Sequence, residues 1–171
     1  MLRYIDRTSF FFINHGFNNP LFDLIMPVIS KICGGPVLFA VSVALLFSRR
    51  KDLRILGLIM LAGFTVSFYL VSALKAFIAR PRPFLALTDV YLLAKEKSMS
   101  FPSSHATSSF MAATILTAYF KKYAVIFYSF AAAVAFSRVY IGVHYPSDVL
   151  AGALLGIAIG WILLRVRKAI S

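Results

Sequence analysis

Long apolar runs separated by short polar breaks dominate the chain. Residues 2–15 mix Arg3, Asp6 and Arg7 with Leu2, Tyr4, Ile5 and Phe10 to Phe12, a pattern suited to a short helix lying in a membrane interface. Asn18-Asn19-Pro20 reads as a break. Apolar stretches follow at 21–33 and 36–50, divided by Gly34-Gly35, and both are short for a hydrocarbon core of roughly 30 Å. Residues 54–79 form a long apolar helix. A polar, proline-bearing segment covers about 80–101, and three more apolar runs lie near 104–120, 123–141 and 147–165. The pattern predicts an all-α integral membrane bundle of six spans with an N-terminal interfacial helix. The whole of 1–171 reads as one domain.

Composition points the same way. Sixty per cent of the residues are hydrophobic, only 14% are charged, and the mean hydropathy is +0.83. A soluble domain carries roughly 25% charged residues. The net charge of +12 comes from 18 basic and six acidic residues. These charges flank apolar runs and form no separate basic domain, which disfavours nucleic acid as a partner and favours the lipid bilayer. The single cysteine, Cys33, allows no disulfide within the chain and reads as a small packed residue. No cleavable signal and no obligatory protein partner are evident.

Six spans put both termini on one side, together with eleven basic residues against seven on the other, and the richer side is expected to be cytoplasmic. A five-span alternative moves the N-terminal pair, Arg3 and Arg7, and leaves the later loops in place. Gly152, Gly156 and Gly160 stand four apart on the last helix and are expected to pack inside the bundle.

This layout gathers the polar residues at the non-cytoplasmic end. Lys75 closes the third span, Ser103, Ser104 and His105 open the fourth, Ser137 and Arg138 end the fifth, and His144 and Asp148 precede or open the sixth. Ionisable residues at spans mark function by default. Lys75, Arg82 and Arg138 are cations able to converge on a tetrahedral anion, and a helix N-terminus at Ser103 adds free N–H groups. Asp148, four residues after His144, can accept from Nδ1 and leave Nε2 free as a nucleophile, with His105 as general acid. Alone, the His144–Asp148 pair reads more readily as a helix cap. His105, His144 and Asp148 could instead be metal ligands, but three cations in the same pocket would repel a divalent ion, so no metal or cofactor is expected.

Lys75, six residues, Arg82-Pro83; then Pro102-Ser103-Ser104-His105; then Ser137-Arg138, five residues, His144, three residues, Asp148: these three ordered blocks resemble the type 2 phosphatidic acid phosphatase family of membrane lipid phosphatases. The blocks lie within 75–148, and the span layout extends the resemblance over nearly the whole chain. The resemblance implies a phosphohistidine on His144 oriented by Asp148. It implies His105 as acid and then base, and phosphate contacts from Lys75, Arg82, Ser103, Ser104 and Arg138. Ser104 stands where the family usually has glycine; its backbone N–H is retained. Arg80, beside the first block but outside its spacing, is a further candidate for substrate contact. Lys31, Lys95 and Lys97 read as snorkelling anchors, and His15 and Asp23 as interfacial or intrahelical hydrogen-bonders.

The expected substrate is a phosphorylated membrane lipid. Among bacterial members the chain most resembles those acting at the 1-position of lipid A, with undecaprenyl-diphosphate and phosphatidylglycerophosphate phosphatases as rivals. The implied location is a bacterial inner (plasma) membrane, the site on the periplasmic or extracellular face and both termini cytoplasmic. An acceptor other than water would make the chain a phosphotransferase. A transporter would place polar residues near mid-membrane, a non-catalytic lipid-binding relative would tolerate loss of a histidine, and a haloperoxidase would hold vanadate in the same pocket without the spans. The 86–98 segment is expected to form a lid.

Overall fold

The computed structural model describes residues 2–32 and 35–170; Cys33 and Gly34 lie outside them. Among the described residues the regular structure is helical throughout: α1 (Leu2–Gly16), α2 (Pro20–Ile32), α3 (Gly35–Leu46), α4 (Lys51–Ile78), α5 (Pro83–Ala86), α6 (Ser104–Tyr119), a single 3-10 turn (Lys121–Tyr123), α7 (Ala124–Tyr140) and α8 (Pro146–Ile170). The break at Asn18-Asn19-Pro20 works as read. Asn19 Oδ1 accepts the Phe22 N–H at 2.9 Å, capping α2, and Pro20 takes the first helical position, where its missing N–H costs nothing.

The bundle core is built by α4, α6 and α8 around Leu56, Met60, Met111, Ile115 and Ile159. The glycine row of α8 faces α6, as expected. A Cβ on Gly156 would stand 2.2 Å from the Thr107 carbonyl oxygen, so only glycine allows the two backbones to come this close. Exposed apolar side chains such as Phe68, Phe77, Val125 and Leu154 clothe the outside, as a lipid-facing surface requires.

Helix length and composition do not account for all six expected spans. Among the described residues three helical stretches are long and apolar enough to cross a membrane alone, Lys51–Ala86, Lys121–Tyr140 and Pro146–Ala169; α2 and α3 pass only as a pair bent by 44°. The reason is the course of α2. Asp23 and Ser30, two turns apart on α2, both meet the last turn of α7, through Tyr140 and Arg138. Two turns of α2 are therefore held at the last turn of α7. Only α3 descends from that end to the start of α4. The sixteen residues of α6, about 24 Å of helix, join the catalytic end of the bundle to the opposite end, where α7 begins.

α1 also lies at the catalytic end. Asp6 bonds Ser147 and Arg80, Phe10 packs on Tyr145, and Asn14 donates to the carbonyls of Tyr91 and Tyr140 at 2.8 and 2.7 Å. α8 starts at this end and finishes at the other. Within the bundle α1 and the end of α8 thus lie at opposite ends, the arrangement of the five-span alternative. Arg3 and Arg7 move to the catalytic end, which makes the basic residues nine against nine. Four of the nine at the catalytic end, Lys75, Arg80, Arg82 and Arg138, are taken up in the site region.

Candidate active site

The site forms where α4 ends, α6 begins, α7 ends and α8 begins. α4 stops because Ala79 adopts φ 47°, a left-handed conformation costly for a side-chain-bearing residue, and this turns Arg80-Pro81-Arg82 back over the bundle. Gly142 has φ +86° in the α7–α8 connection. A Cβ there would lie 2.7 Å from the Tyr91 carbonyl oxygen, so the glycine serves both the turn and the close approach of the 87–103 segment. That segment is tied down by Leu93 N–H to the Ile141 carbonyl at 3.2 Å and Ser100 N–H to the Arg80 carbonyl at 2.9 Å.

His144 is buried. Its Nε2 lies 3.2 Å from Nη1 of Arg82, which also donates to the Val143 carbonyl at 2.8 Å. The guanidinium has no lone pair to offer, so Nε2 is the acceptor and Nδ1 carries the proton. Nδ1 faces Asp148 Oδ2 at 3.5 Å, longer than an ordinary hydrogen bond, and has no closer partner. Burial pushes the imidazole down to about 3, Arg138 and Arg82 act in the same direction, and Asp148 opposes them, so the ring is neutral near pH 7.

Asp148 has two tasks. It is the third residue of α8, and Oδ2 accepts the Tyr145 N–H at 2.9 Å, the reciprocal bond of a helix cap. Oδ2 also accepts from the Ser100 hydroxyl at 2.5 Å, and Oδ1 from Arg80 Nη1 at 2.6 Å. One carboxylate thus caps α8 and lies 3.5 Å from the His144 ring.

The three expected phosphate cations do converge, and the 87–103 segment occupies each of them. Lys75 donates to the Met99 carbonyl, Arg82 to the Ser98 carbonyl at 2.6 Å and hydroxyl at 3.1 Å, and Arg138 to Glu96 Oε1 at 2.5 Å. Arg138 also reaches Ser30 of α2 at 2.6 Å. Burial tends to raise the Glu96 carboxyl, but the bond from Arg138 and the charges of Arg138, Arg82 and His105 outweigh it and hold the group below the ordinary carboxylate range. His105, on the first turn of α6, sits in the same field, under Arg138, Glu96, Arg82 and Lys75. Ser103 is wholly buried, and its hydroxyl accepts the Ala106 N–H at 3.4 Å as the cap of α6. Ser104 is exposed at the mouth of a groove of about 720 Å³ between α3, α4 and α6, whose walls include Phe39, Phe64, Phe68 and Val71 and whose end reaches Lys75 and Ser98.

Arg80 does not join the other cations; it pairs with Asp6 and Asp148. Asp23 is not intrahelical but accepts from the hydroxyls of Tyr91 and Tyr140 at 2.7 and 2.6 Å, and His15 Nε2 meets the Asp89 carbonyl at 2.8 Å. Lys31, Lys95 and Lys97 are exposed, as anchors should be. Sequence reasoning passed over Asp6, Ser30, Glu96 and Ser100. Asp6 read as one more charge of an interfacial helix, and Glu96 drew no reading between Lys95 and Lys97; an acid facing a surplus of cations was the signal available.

The chain is similar to known proteins in sequence and in fold. Residues 53–171 match the model of the PAP2 superfamily. The chain is 34% identical over 168 residues to an undecaprenyl-diphosphatase of Sulfolobus acidocaldarius, an alignment covering 91% of this chain and 81% of that one. Its fold superimposes on the crystal structure of Aquifex aeolicus LpxE with a TM-score of 0.84 at 33% identity, covering 92% and 93% of the two chains. The TM-score is 0.82 at 26% identity for the first transmembrane PAP2 type phosphatidylglycerolphosphate phosphatase from Bacillus subtilis, covering 99% and 88%. With its motif residues gathered at one end of a helical membrane bundle, the chain belongs to the PAP2 superfamily of membrane phosphatases.

Proposed function

We propose that the protein hydrolyses a phosphate monoester or diphosphate on a lipid head group through a phosphohistidine on His144, without a metal. The observation that carries this reading is the meeting of Lys75, Arg82 and Arg138 around a buried neutral histidine whose Nε2 is the acceptor. The substrate phosphate replaces the Glu96 carboxylate and the Ser98 and Met99 carbonyls on the three cations. Nε2 then attacks phosphorus, the bond from phosphorus to the lipid oxygen breaks, and protonated His105 gives its proton to that oxygen. The imidazole becomes positive and is stabilised by Asp148. In the second step neutral His105 takes a proton from water, the water oxygen attacks phosphorus, and the P–N bond breaks to release inorganic phosphate. The cations stabilise charge on the phosphoryl oxygens in both steps, the role a metal would otherwise fill. Ser104 contributes from the groove side, and Ser103 chiefly by holding the start of α6.

The groove leading to Lys75 supports lateral entry of lipid chains between α3 and α4. Two head groups lead. The lipid A 1-phosphate reading rests on the overall resemblance of the motif-bearing region to bacterial lipid A 1-phosphatases. The polyprenyl diphosphate reading is favoured by the relative that matches 91% of this chain. The nine basic residues at the end away from the site, against five outside the site region at the catalytic end, favour a plasma membrane with the site facing outward.

The test is phosphate release by the purified protein in detergent with EDTA, from lipid A, undecaprenyl diphosphate, phosphatidylglycerophosphate and phosphatidic acid. Release that survives EDTA and vanishes in His144→Ala supports the mechanism, and the best substrate fixes the head group. Release that EDTA abolishes would overturn the metal-free reading.

A further inference from the structure

Asp6 and Arg80 stand outside the three motif blocks, yet they form a largely buried charge network next to the site. Asp6 is 8% exposed, on a helix that sequence reading left in the interface. Its Oδ1 accepts the Ser147 N–H at 2.9 Å, one of the free donors of the first turn of α8, and its Oδ2 accepts the Ser147 hydroxyl at 2.6 Å. Arg80 Nη2 donates to Asp6 Oδ2 at 2.5 Å, while Nη1 donates to Asp148 Oδ1 at 2.6 Å and to the Ser147 hydroxyl at 2.7 Å. The guanidinium carbon lies 3.9 Å from the centre of the Tyr145 ring, which fixes its plane.

We propose that Asp6 and Arg80 are positioning residues for the reaction, which set the orientation and charge of Asp148 and, through it, the stabilisation of the His144 ring when it becomes positive. The proposal rests on the phosphatase reading above. Both amino groups of Arg80 are engaged with α1 and α8, whereas Lys75, Arg82 and Arg138 all turn to the 96–99 stretch where phosphate would bind. Arg80 is therefore behind Asp148 and not a substrate ligand. From Asp6 to Arg80 to Asp148 the charges alternate, and the phosphohistidine adds a fourth, positive, member. Without Asp6 the full charge of Arg80 falls on Asp148 and weakens its hold on the positive ring. Without Arg80, Oδ1 loses its ion pair and the carboxylate is free to turn away from Nδ1. The first helix is thus part of the catalytic apparatus.

The test uses the full chain in detergent micelles, with kcat and KM measured separately on the best lipid phosphate for Asp6→Asn, Asp6→Glu and Arg80→Lys, and with Arg82→Lys as the substrate-contact comparison. The chain has only three histidines, so nitrogen-15 histidine labelling resolves the His144 ring. Asp6→Asn and Arg80→Lys are expected to lower kcat about tenfold or more while KM stays within about twofold, and Asp6→Glu to restore most of kcat. The His144 ring nitrogen signals should shift in Asp6→Asn and return in Asp6→Glu, with Nε2 staying the acceptor that faces Arg82 in both. A raised KM with kcat held in Arg80→Lys would make Arg80 a substrate ligand and overturn the proposal, as would unchanged kcat with an unchanged ring signal. If the wild type releases phosphate from no lipid, the phosphatase reading fails by itself and the ring signal still decides the positioning role. If Asp6→Asn is not monodisperse, Arg80→Lys and Asp6→Glu carry the decision.

Discussion

Nη1 of Arg82 sits 3.2 Å from Nε2 of His144, so the cation proposed to bind phosphate holds the lone pair of the proposed nucleophile. A lysine at this position could not span Nε2, the Val143 carbonyl and Ser98 as one planar group. Arg82→Lys is expected to lower kcat/KM by about 100-fold, acting on both constants, in steady-state phosphate release. A change confined to KM would mean that Arg82 only recruits substrate.

Glu96 occupies Arg138 in the way a phosphoryl oxygen would, and substrate must displace it. Glu96→Gln removes the competing charge and leaves the side-chain length. Its KM is expected to fall by about threefold to tenfold, with inorganic phosphate becoming a tighter competitive inhibitor by a similar factor. An increase in KM would show that Glu96 assists the substrate.

The buried neutral state of His144 links stability to pH. Its folded value is lowered from 6.5 to about 3, so the stabilising contribution is fully present above 6.5 and is lost as the pH falls toward 3. Glu96, held below its ordinary range, adds to the loss in the same direction. Thermal midpoints in detergent between about pH 7 and about pH 4 should fall more steeply for the wild type than for His144→Gln. Equal slopes would place the ring in water.

Close contact between α6 and α8 depends on Gly156. Gly156→Ala brings a methyl to 2.2 Å from the Thr107 carbonyl oxygen and 2.9 Å from the Met111 nitrogen, both backbone atoms that cannot step aside. A loss of about 1–3 kcal/mol is expected, read as a lowered thermal midpoint. Gly16→Ala meets only Phe12 at 4.0 Å and should change little.

The helical class, the later helices and the convergence of Lys75, Arg82, Arg138 and His144 were legible because hydropathy and motif spacing are local signals. The course of α2 was not legible because an apolar thirteen-residue stretch reads the same whether it crosses a bundle or lies over its end. What decides is Asp23 reaching Tyr91 and Tyr140, and Ser30 reaching Arg138, contacts between residues far apart in the chain. Asp6, Arg80 and Glu96 were hidden for the same reason: an ionic partner some 70 or 40 positions away leaves no periodic trace.

Since α1 lies against the end that carries His144 and α8 finishes at the far end, the described chain begins and finishes at opposite ends of the bundle. A reporter joined ahead of α1 would crowd the helix that carries Asp6. One joined behind α8 would stand at the full length of a helix from His144.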